Sequence, residues 1–207
     1  MLEYEGLLNA LNNSKNEREI ARYLKEHLIL IRNACNYSWN TVIIKPEFCL
    51  GGDFRVDYII VSANSCCWDV TLIEMQSHKD KIFIKNGNMS HQLNEAQRQI
   101  TEWKKWIKEH DQQFREEIAD IVGEDEPPYC SCAGVHINAA SEIRDFKTYI
   151  RTRYVVLIGR RNYLTQEQRT RRNYISEIEI ITFDRLLDCA KKVDKGNKEI
   201  NEKNMLF

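Results

Sequence analysis

The sequence predicts an α/β fold, one sandwich of helices around a mixed sheet. Segments of helical period alternate with short apolar runs of strand length, the pattern of a layered α/β domain. A chain of 207 residues is long enough to bury one such core. Hydrophobic residues at 43% and charged residues at 29% give the balance of a folded chain rather than a disordered one.

Ile20, Leu24, Leu28 and Ile31 recur at helical spacing, so a first helix is expected from about Lys15 to Asn33, with Ser14 as its N-cap. TVIIKPEF reads as a strand, and Pro46, which has no N–H for a neighbour, places it at an edge or an end. Gly51-Gly52 mark a turn. Residues 54–62 and 68–76 are then two strands joined by a short loop beginning Ala63-Asn64-Ser65, a hairpin. The polar loop SHKDKIFIKNGN has room for a short strand. From Ser90 to about Val122 one long helix is expected, its apolar face built from Leu93, Ala96, Ile100, Trp103, Ile107 and Phe114, and Pro127-Pro128 stop it. AGVHINA, RYVVLIG and IEIITF read as strands, LTQEQRTRRNYI and FDRLLDCAKKV as helices. Residues 1–190 are expected to form one domain and 191–207 a polar, mobile tail whose final Met-Leu-Phe could dock. No internal repeat and no linker separates two domains.

No apolar run approaches the roughly 18–20 residues that cross a bilayer, and MLEYEGLLNALNNSKNERE is too acidic and polar for a secretory signal. A cytoplasmic protein without membrane attachment is expected. The seven cysteines lack a disulfide-like spacing. Cys130, Cys132 and His136 could begin a zinc site, but no second ligand pair stands at the usual spacing, and reduced thiols are the simpler reading.

The net charge of −1 hides segregation. Glu116, Glu117, Asp120, Glu124, Asp125 and Glu126 crowd one stretch. Arg144, Lys147, Arg151, Arg153, Arg160, Arg161, Arg169, Arg171 and Arg172 crowd another, with only Asp145 and Glu167 between them. Such a run is either a solvated face or a phosphate-binding surface, since guanidinium forks match phosphate geometry. In the second reading Arg160, Arg161, Arg169, Arg171 and Arg172 bind nucleic acid.

Asp57 and Glu74 sit in the two hairpin strands among apolar neighbours. Either acid alone could face solvent on a strand with one wet side. Together, on adjacent strands, they would repel unless a cation held them, and an oxygen-only pair suits Mg²⁺ or Mn²⁺. Gln92, Glu95 and Gln99 share a face of the long helix by their three- and four-residue steps. His78 and His91 flank the loop after Glu74, where imidazole could bind phosphate or donate a proton.

These residues resemble a known family. The order D-x(n)-E-x-K, with acids on paired strands after a first helix, is the pattern of the PD-(D/E)xK nuclease superfamily. KPEFCLGGDFRVDYIIV, LIEMQ, HQLNEAQRQITEW, VVLIGR and IEIITFDRLL together look like the C-terminal nuclease domain of the Shedu antiphage-defence proteins, over roughly residues 15–190. The resemblance implies a restriction-endonuclease-like αβββαβ core with a mixed central sheet flanked by helices. It implies Asp57 and Glu74 as metal ligands for Mg²⁺ or Mn²⁺, DNA as substrate, and a homo-oligomer, with apolar strips of the long helix as the contact. Gln76 stands where the family has lysine: its amide can orient a water, but it brings no positive charge. Lys79, Lys81 or Lys85 could reach in instead. Gln99-x-x-x-Trp103 is similar to the Gln-x-x-x-Tyr motif of some relatives, which would set Gln99 near water or phosphate. Trp103 and Trp106 read first as core, and Glu17 and Glu19 as charged helix surface before metal ligands.

Overall fold

The structure, a computed structural model, describes residues 2–35, 41–64, 67–123, 138–175, 177–196 and 205–206. Cys66, Cys130, Cys132, His136 and the acidic Glu124, Asp125 and Glu126 lie outside the described residues, as does most of AGVHINA. Helices α1 (Glu3–Asn13), α2 (Glu17–Glu26) and α3 (Leu28–Cys35) precede strands β1 (Thr41–Leu50), β2 (Phe54–Asn64) and β3 (Cys67–Met75). Then come α4 (His91–Glu109), α5 (Asp111–Val122), α6 (Ala139–Arg144), β4 (Ile150–Leu157), a 3₁₀ turn (Arg161–Tyr163), α7 (Gln166–Arg172), β5 (Glu179–Ile181), α8 (Phe183–Asp194) and β6 (Met205–Leu206). The strands form a sheet of order β5-β4-β3-β2-β1-β6, antiparallel between β1 and β2 and parallel at β4–β5 and β1–β6. This is the α/β fold with a mixed sheet that the sequence predicts, in the expected order of helix, three strands, helix, strand.

The chain gathers into two compact units. One is Met1–Tyr37, Ile73–Gln99 and Tyr154–Asn201; the other is Ser38–Leu72, Ile100–Arg153 and Glu202–Phe207.

In the first unit, α1 and α3 pack on α8 through Leu7, Leu11, Leu30, Ile31, Phe183, Leu186 and Ala190, all buried. The N-terminus of α1 is closed from α8: the Glu3 and Tyr4 amides donate to the Asp194 carboxylate at 2.8 and 3.0 Å, and a carboxylate there opposes the helix dipole. The tail expected to be mobile from residue 191 thus begins inside a helix. The single helix expected from Lys15 to Asn33 is two. Asn16, not Ser14, caps α2 by accepting the Glu19 amide, and Glu19 returns the bond to the Lys15 amide at 2.7 Å. His27 ends that helix at φ −129°, where Glu3 and the Tyr23 ring hold its imidazole. Gly159 ties strand ends together: its N–H donates to Ser77 and its carbonyl accepts from Phe183, while Gln76 N–H donates to Leu157. Its φ of +63° and the Asp80 carbonyl oxygen, 2.4 Å from where a Cβ would sit, require glycine.

In the second unit, β1 and β2 pair from Thr41↔Ala63 to Leu50↔Phe54. Pro46 is tolerated because β6 pairs only with Val42 and Ile43 and leaves that part of β1 open. Met205 and Leu206 therefore do dock. The β1–β2 turn is pinned: the Gly51 amide donates to both Glu117 oxygens at 3.0 and 3.2 Å, and its Cα lies against the Trp106 indole. The expected long helix breaks at His110, whose ring stacks on Trp106 and takes up the Trp106 carbonyl at 3.0 Å. Arg115, buried, gathers the Ile143, Asp145 and Thr148 carbonyls and closes the end of α6.

Leu93, Ala96, Ile100 and Trp103 are all fully buried, so the apolar strip of α4 belongs to the chain's own core and is not a free surface for self-association. Among the described residues no helix is long and apolar enough to cross a membrane.

Candidate active site

Strand β3 is buried along its whole length, and Glu74 lies at its end, only 6% exposed. A carboxylate in that position must be satisfied by donors, and two glutamines supply them. The Gln76 amide donates to Oε1 at 3.2 Å; the Gln99 amide donates to Oε2 at 3.0 Å. Both placements follow from local geometry. Residues two apart on a strand share a face, which sets Gln76 beside Glu74. Gln99 follows Leu93 and Ala96 by six and three positions on α4, next to the stripe that buries the helix. Glu74, Gln76 and Gln99 thus form one bonded cluster in the first unit.

Asp57 stands half-buried on β2, in the second unit. Its surroundings there hold a feature the sequence reading missed. The register runs Pro46↔Tyr58 and then Phe48↔Val56, so the rung of Glu47 and Asp57 drops out of the ladder. Glu47 takes φ +54°, a left-handed conformation that costs a side-chain-bearing residue energy and is seldom found inside a strand. Its carboxylate meets Arg55. Burial, then Asp57 and Glu47, push the Tyr58 hydroxyl above its ordinary pKa. The only sequence signal for this was Pro46, which already disfavoured a regular ladder.

The other expected residues disperse. Lys79 is committed elsewhere, its Nζ donating to the Ser14 carbonyl at 2.7 Å, and Lys81 and Lys85 are exposed. His78 is buried: Nε2 lies 3.5 Å from Ser14 Oγ and the ring packs edge-on to Phe183 at 5.8 Å. Burial, with Lys79 and Arg160 nearby, lowers its pKa, so it is a core imidazole rather than a phosphate ligand. His91 is an exposed neighbour of Glu95 at 3.4 Å, Glu19 caps α2, and Trp103 is core. Among the described residues no group of three His, Cys, Asp or Glu converges as a metal cage. Cys35, Cys49, Cys67 and Cys189 form no disulfide.

The basic run divides into paired and unpaired members. Arg144 meets Glu116 and Asp120, and Arg151 meets Asp69. Arg160 lies on Asp184 at 3.1 Å and Arg161 on Asp188 at 2.5 Å. Burial alone would raise the Asp184 carboxyl, but the Arg160 fork and the Arg161 amide outweigh it and hold it below the usual range. Arg169, Arg171 and Arg172 form no ion pair among the described residues, although the Glu179 charge acts on Arg172. Arg171 donates to the Gly87 carbonyl at 2.7 Å and lies over Phe83, which ties α7 to the loop that follows Glu74. Arg172 and Arg185 line an open cleft of about 400 Å³ with Asn173, Ile175, Ile178 and Glu179. Burial, Arg161 and Arg185 lower the Arg172 pKa, and its Nε is buried with no hydrogen-bond partner.

No curated protein matches the chain. The family model described as "Shedu protein SduA, C-terminal" matches residues 14–187, from the loop before α2 into α8, and so covers the glutamine-held Glu74, Asp57 and the arginines of α7. The chain belongs to this family of Shedu SduA C-terminal domains.

Proposed function

We propose that the chain is a metal-dependent nuclease that hydrolyses DNA phosphodiesters in defence against phage, working in the cytoplasm as a homo-oligomer. One observation carries the reading: a buried carboxylate at the end of β3, each of its oxygens turned by a glutamine amide. Amides fix the direction of a carboxylate without cancelling its charge, which is the state a cation needs.

The donor set fits a hard divalent ion. Mg²⁺ takes one or two carboxylates and keeps several waters, so no cage of three is required; Glu74 would be one protein ligand, and Asp57 is the second that the family resemblance implies. Bound there, Mg²⁺ or Mn²⁺ supplies the charge that steadies a phosphodiester and eases the deprotonation of water. Gln76 and Gln99 hold Glu74 in direction. On this reading the Gln76 and Gln99 amides also place the attacking water. The arginines of α7 grip the backbone.

The test is cleavage of linear, nicked and single-stranded DNA with Mg²⁺, beside Asp57→Ala and Glu74→Ala. Loss of at least about 100-fold in rate in both variants is expected for removal of a transition-state charge stabiliser. Cleavage that survives both substitutions sinks the assignment. A second reading keeps DNA binding or assembly and drops catalysis. Gln76 favours it, since a neutral amide replaces the family's lysine; wild-type protein that binds DNA and never cuts it would establish that reading. Sedimentation at several protein concentrations tests self-association.

A further inference from the structure

The segment after β4 repeats itself. Arg160-Arg161-Asn162-Tyr163-Leu164 returns eleven residues later as Arg171-Arg172-Asn173-Tyr174-Ile175, so the chain does carry a short internal repeat, one at either end of α7. The two copies are built alike. The first arginine of each is tied to a neighbouring element, Arg160 to Asp184 and Arg171 to the Gly87 carbonyl. The tyrosine of each stands open to solvent: Tyr163 is 41% exposed and Tyr174 80%. Between them α7 buries no residue.

A helix without a buried face contributes little to the core, so packing does not explain its composition. Tyr163 and Tyr174 are two of six large apolar side chains exposed among the described residues, and the two that flank one short arginine-rich helix. Their neighbours supply the second half of the argument. Arg169 and Arg172 form no ion pair among the described residues, although the Glu179 charge acts on Arg172. Arg161, Arg169 and Arg185 also act on Arg172; Arg161 is met by Asp188 and Arg185 by Glu179. Arg169 and Arg172 are thus the guanidinium groups of the segment best placed to meet an anion. The cleft beside them, about 400 Å³, has Ile175, Ile178 and Ile180 as apolar wall and a mixed polar lining: Asn173, Arg172 and Arg185 with Glu177 and Glu179. That volume falls in the range of roughly 300–1,000 Å³ typical of small-ligand clefts. Flat rings next to phosphate-binding guanidinium groups are the combination that holds unpaired nucleotides: bases stack on the rings while the backbone follows the charge. A duplex offers its phosphates but not its base faces.

We propose that the doubled Arg-Asn-Tyr segment binds an unpaired strand of DNA, Tyr163 and Tyr174 stacking on bases and Arg169 and Arg172 meeting the phosphates. The inference rests on DNA as the substrate of the Glu74 site, and gives that site its substrate class: single-stranded or partly unpaired DNA. Arg171 joins the segment to the loop after β3 and so sets the strand's path relative to Glu74.

Binding is measured by fluorescence anisotropy in EDTA, where no cleavage occurs, with a labelled single strand and the duplex of the same sequence. The wild-type protein is expected to prefer the single strand. Tyr163→Ala and Tyr174→Ala should each weaken single-strand binding by roughly 5- to 150-fold, the range for loss of one base–aromatic stack, and leave duplex binding nearly unchanged. Tyr174→Phe should retain the affinity, because the ring and not the hydroxyl stacks. Arg169→Ala should lower the salt slope for the single strand by about 0.7. Both tyrosines are exposed, so the variants keep the fold, which circular dichroism checks. Equal affinity for the two DNA forms, or alanine variants that bind the single strand like wild type, overturns the proposal even if the protein cleaves DNA in Mg²⁺. Strand preference lost with the tyrosines upholds it even if no cleavage is seen, in which case the nuclease reading alone fails.

Discussion

Arg151→Met isolates the electrostatics of β3 from its chemistry. Asp69 is 1% exposed in a strand buried at every position, and both Nε and Nη2 of Arg151 hold its carboxylate, the latter at 2.8 Å. Removing one partner of a buried pair costs about 3–5 kcal/mol, because the other charge stays where water cannot reach it. The Arg151 side chain is 47% exposed, so water entering on its side screens part of that cost, and about 2–3 kcal/mol remains. Against a total stability of about 5–15 kcal/mol that is a large fraction. In urea unfolding followed by far-ultraviolet circular dichroism, a slope near 2 kcal/mol per molar places the midpoint about 1 M lower, with the slope itself unchanged. Asp69→Asn added to Arg151→Met should recover much of the loss, since the stranded charge is gone. A midpoint within about 0.2 M of wild type for Arg151→Met would show an ordinary surface ion pair, and the reasoning would be refuted.

Three further outcomes follow from the same geometry. Gly159→Ala forces a Cβ against the Asp80 carbonyl at a φ of +63°; the left-handed backbone alone costs about 1–2 kcal/mol and the clash adds to it, so calorimetry should show a melting point several degrees lower. Asp184 is held below its ordinary pKa by Arg160 and Arg161, so its contribution is present above about pH 4 and is lost as pH falls through the depressed value; stability of Asp184→Asn should fall less steeply than wild type over that acid range. Gln99→Ala takes one amide from Glu74, and the Mg²⁺ concentration for half-maximal cleavage should rise about 10- to 100-fold, an unchanged value denying Gln99 its positioning role.

The paired strands, the edge position of Pro46 and the α4 stripe were legible in the sequence because each rests on a local period. The breaks at His27 and His110 were not, since each depends on a ring contact: His27 with Glu3 and Tyr23, His110 with Trp106. Charge segregation along the chain misled in a similar way. The acids of α5 neutralise Arg144, and Asp184 and Asp188 of α8 neutralise Arg160 and Arg161, pairs separated by more than twenty residues. Once those pairs are set aside, Arg169 and Arg172 are members of the run that form no ion pair, while Arg171 is tied to the Gly87 carbonyl. That Gln76 lies beside Glu74 was legible from their strand spacing; that Gln99 approaches them was expected only through the family resemblance, the helix face grouping it with Gln92 and Glu95 alone. That Lys79 spends its charge on the Ser14 carbonyl was not, because the partner comes from the loop between α1 and α2.

Gln76 changes the electrical balance of the site as well as its proton chemistry. A lysine in its place would bring a positive charge to Glu74, leaving their sum near zero and offering the phosphate a cation of the protein's own. Gln76 and Gln99 bring Glu74 neutral donors instead. On the proposed reading a divalent ion supplies the positive charge that an amide lacks. A site of that kind has less to attract DNA until its ion is bound. On the proposed reading attraction then comes from elsewhere, and α7 carries arginines that form no ion pair among the described residues, joined by Arg171 to the loop that leaves β3. The replacement of lysine by glutamine and the arginines of α7 are on that reading two parts of one arrangement, the metal site for the chemistry and the helix for the charge that holds the phosphate.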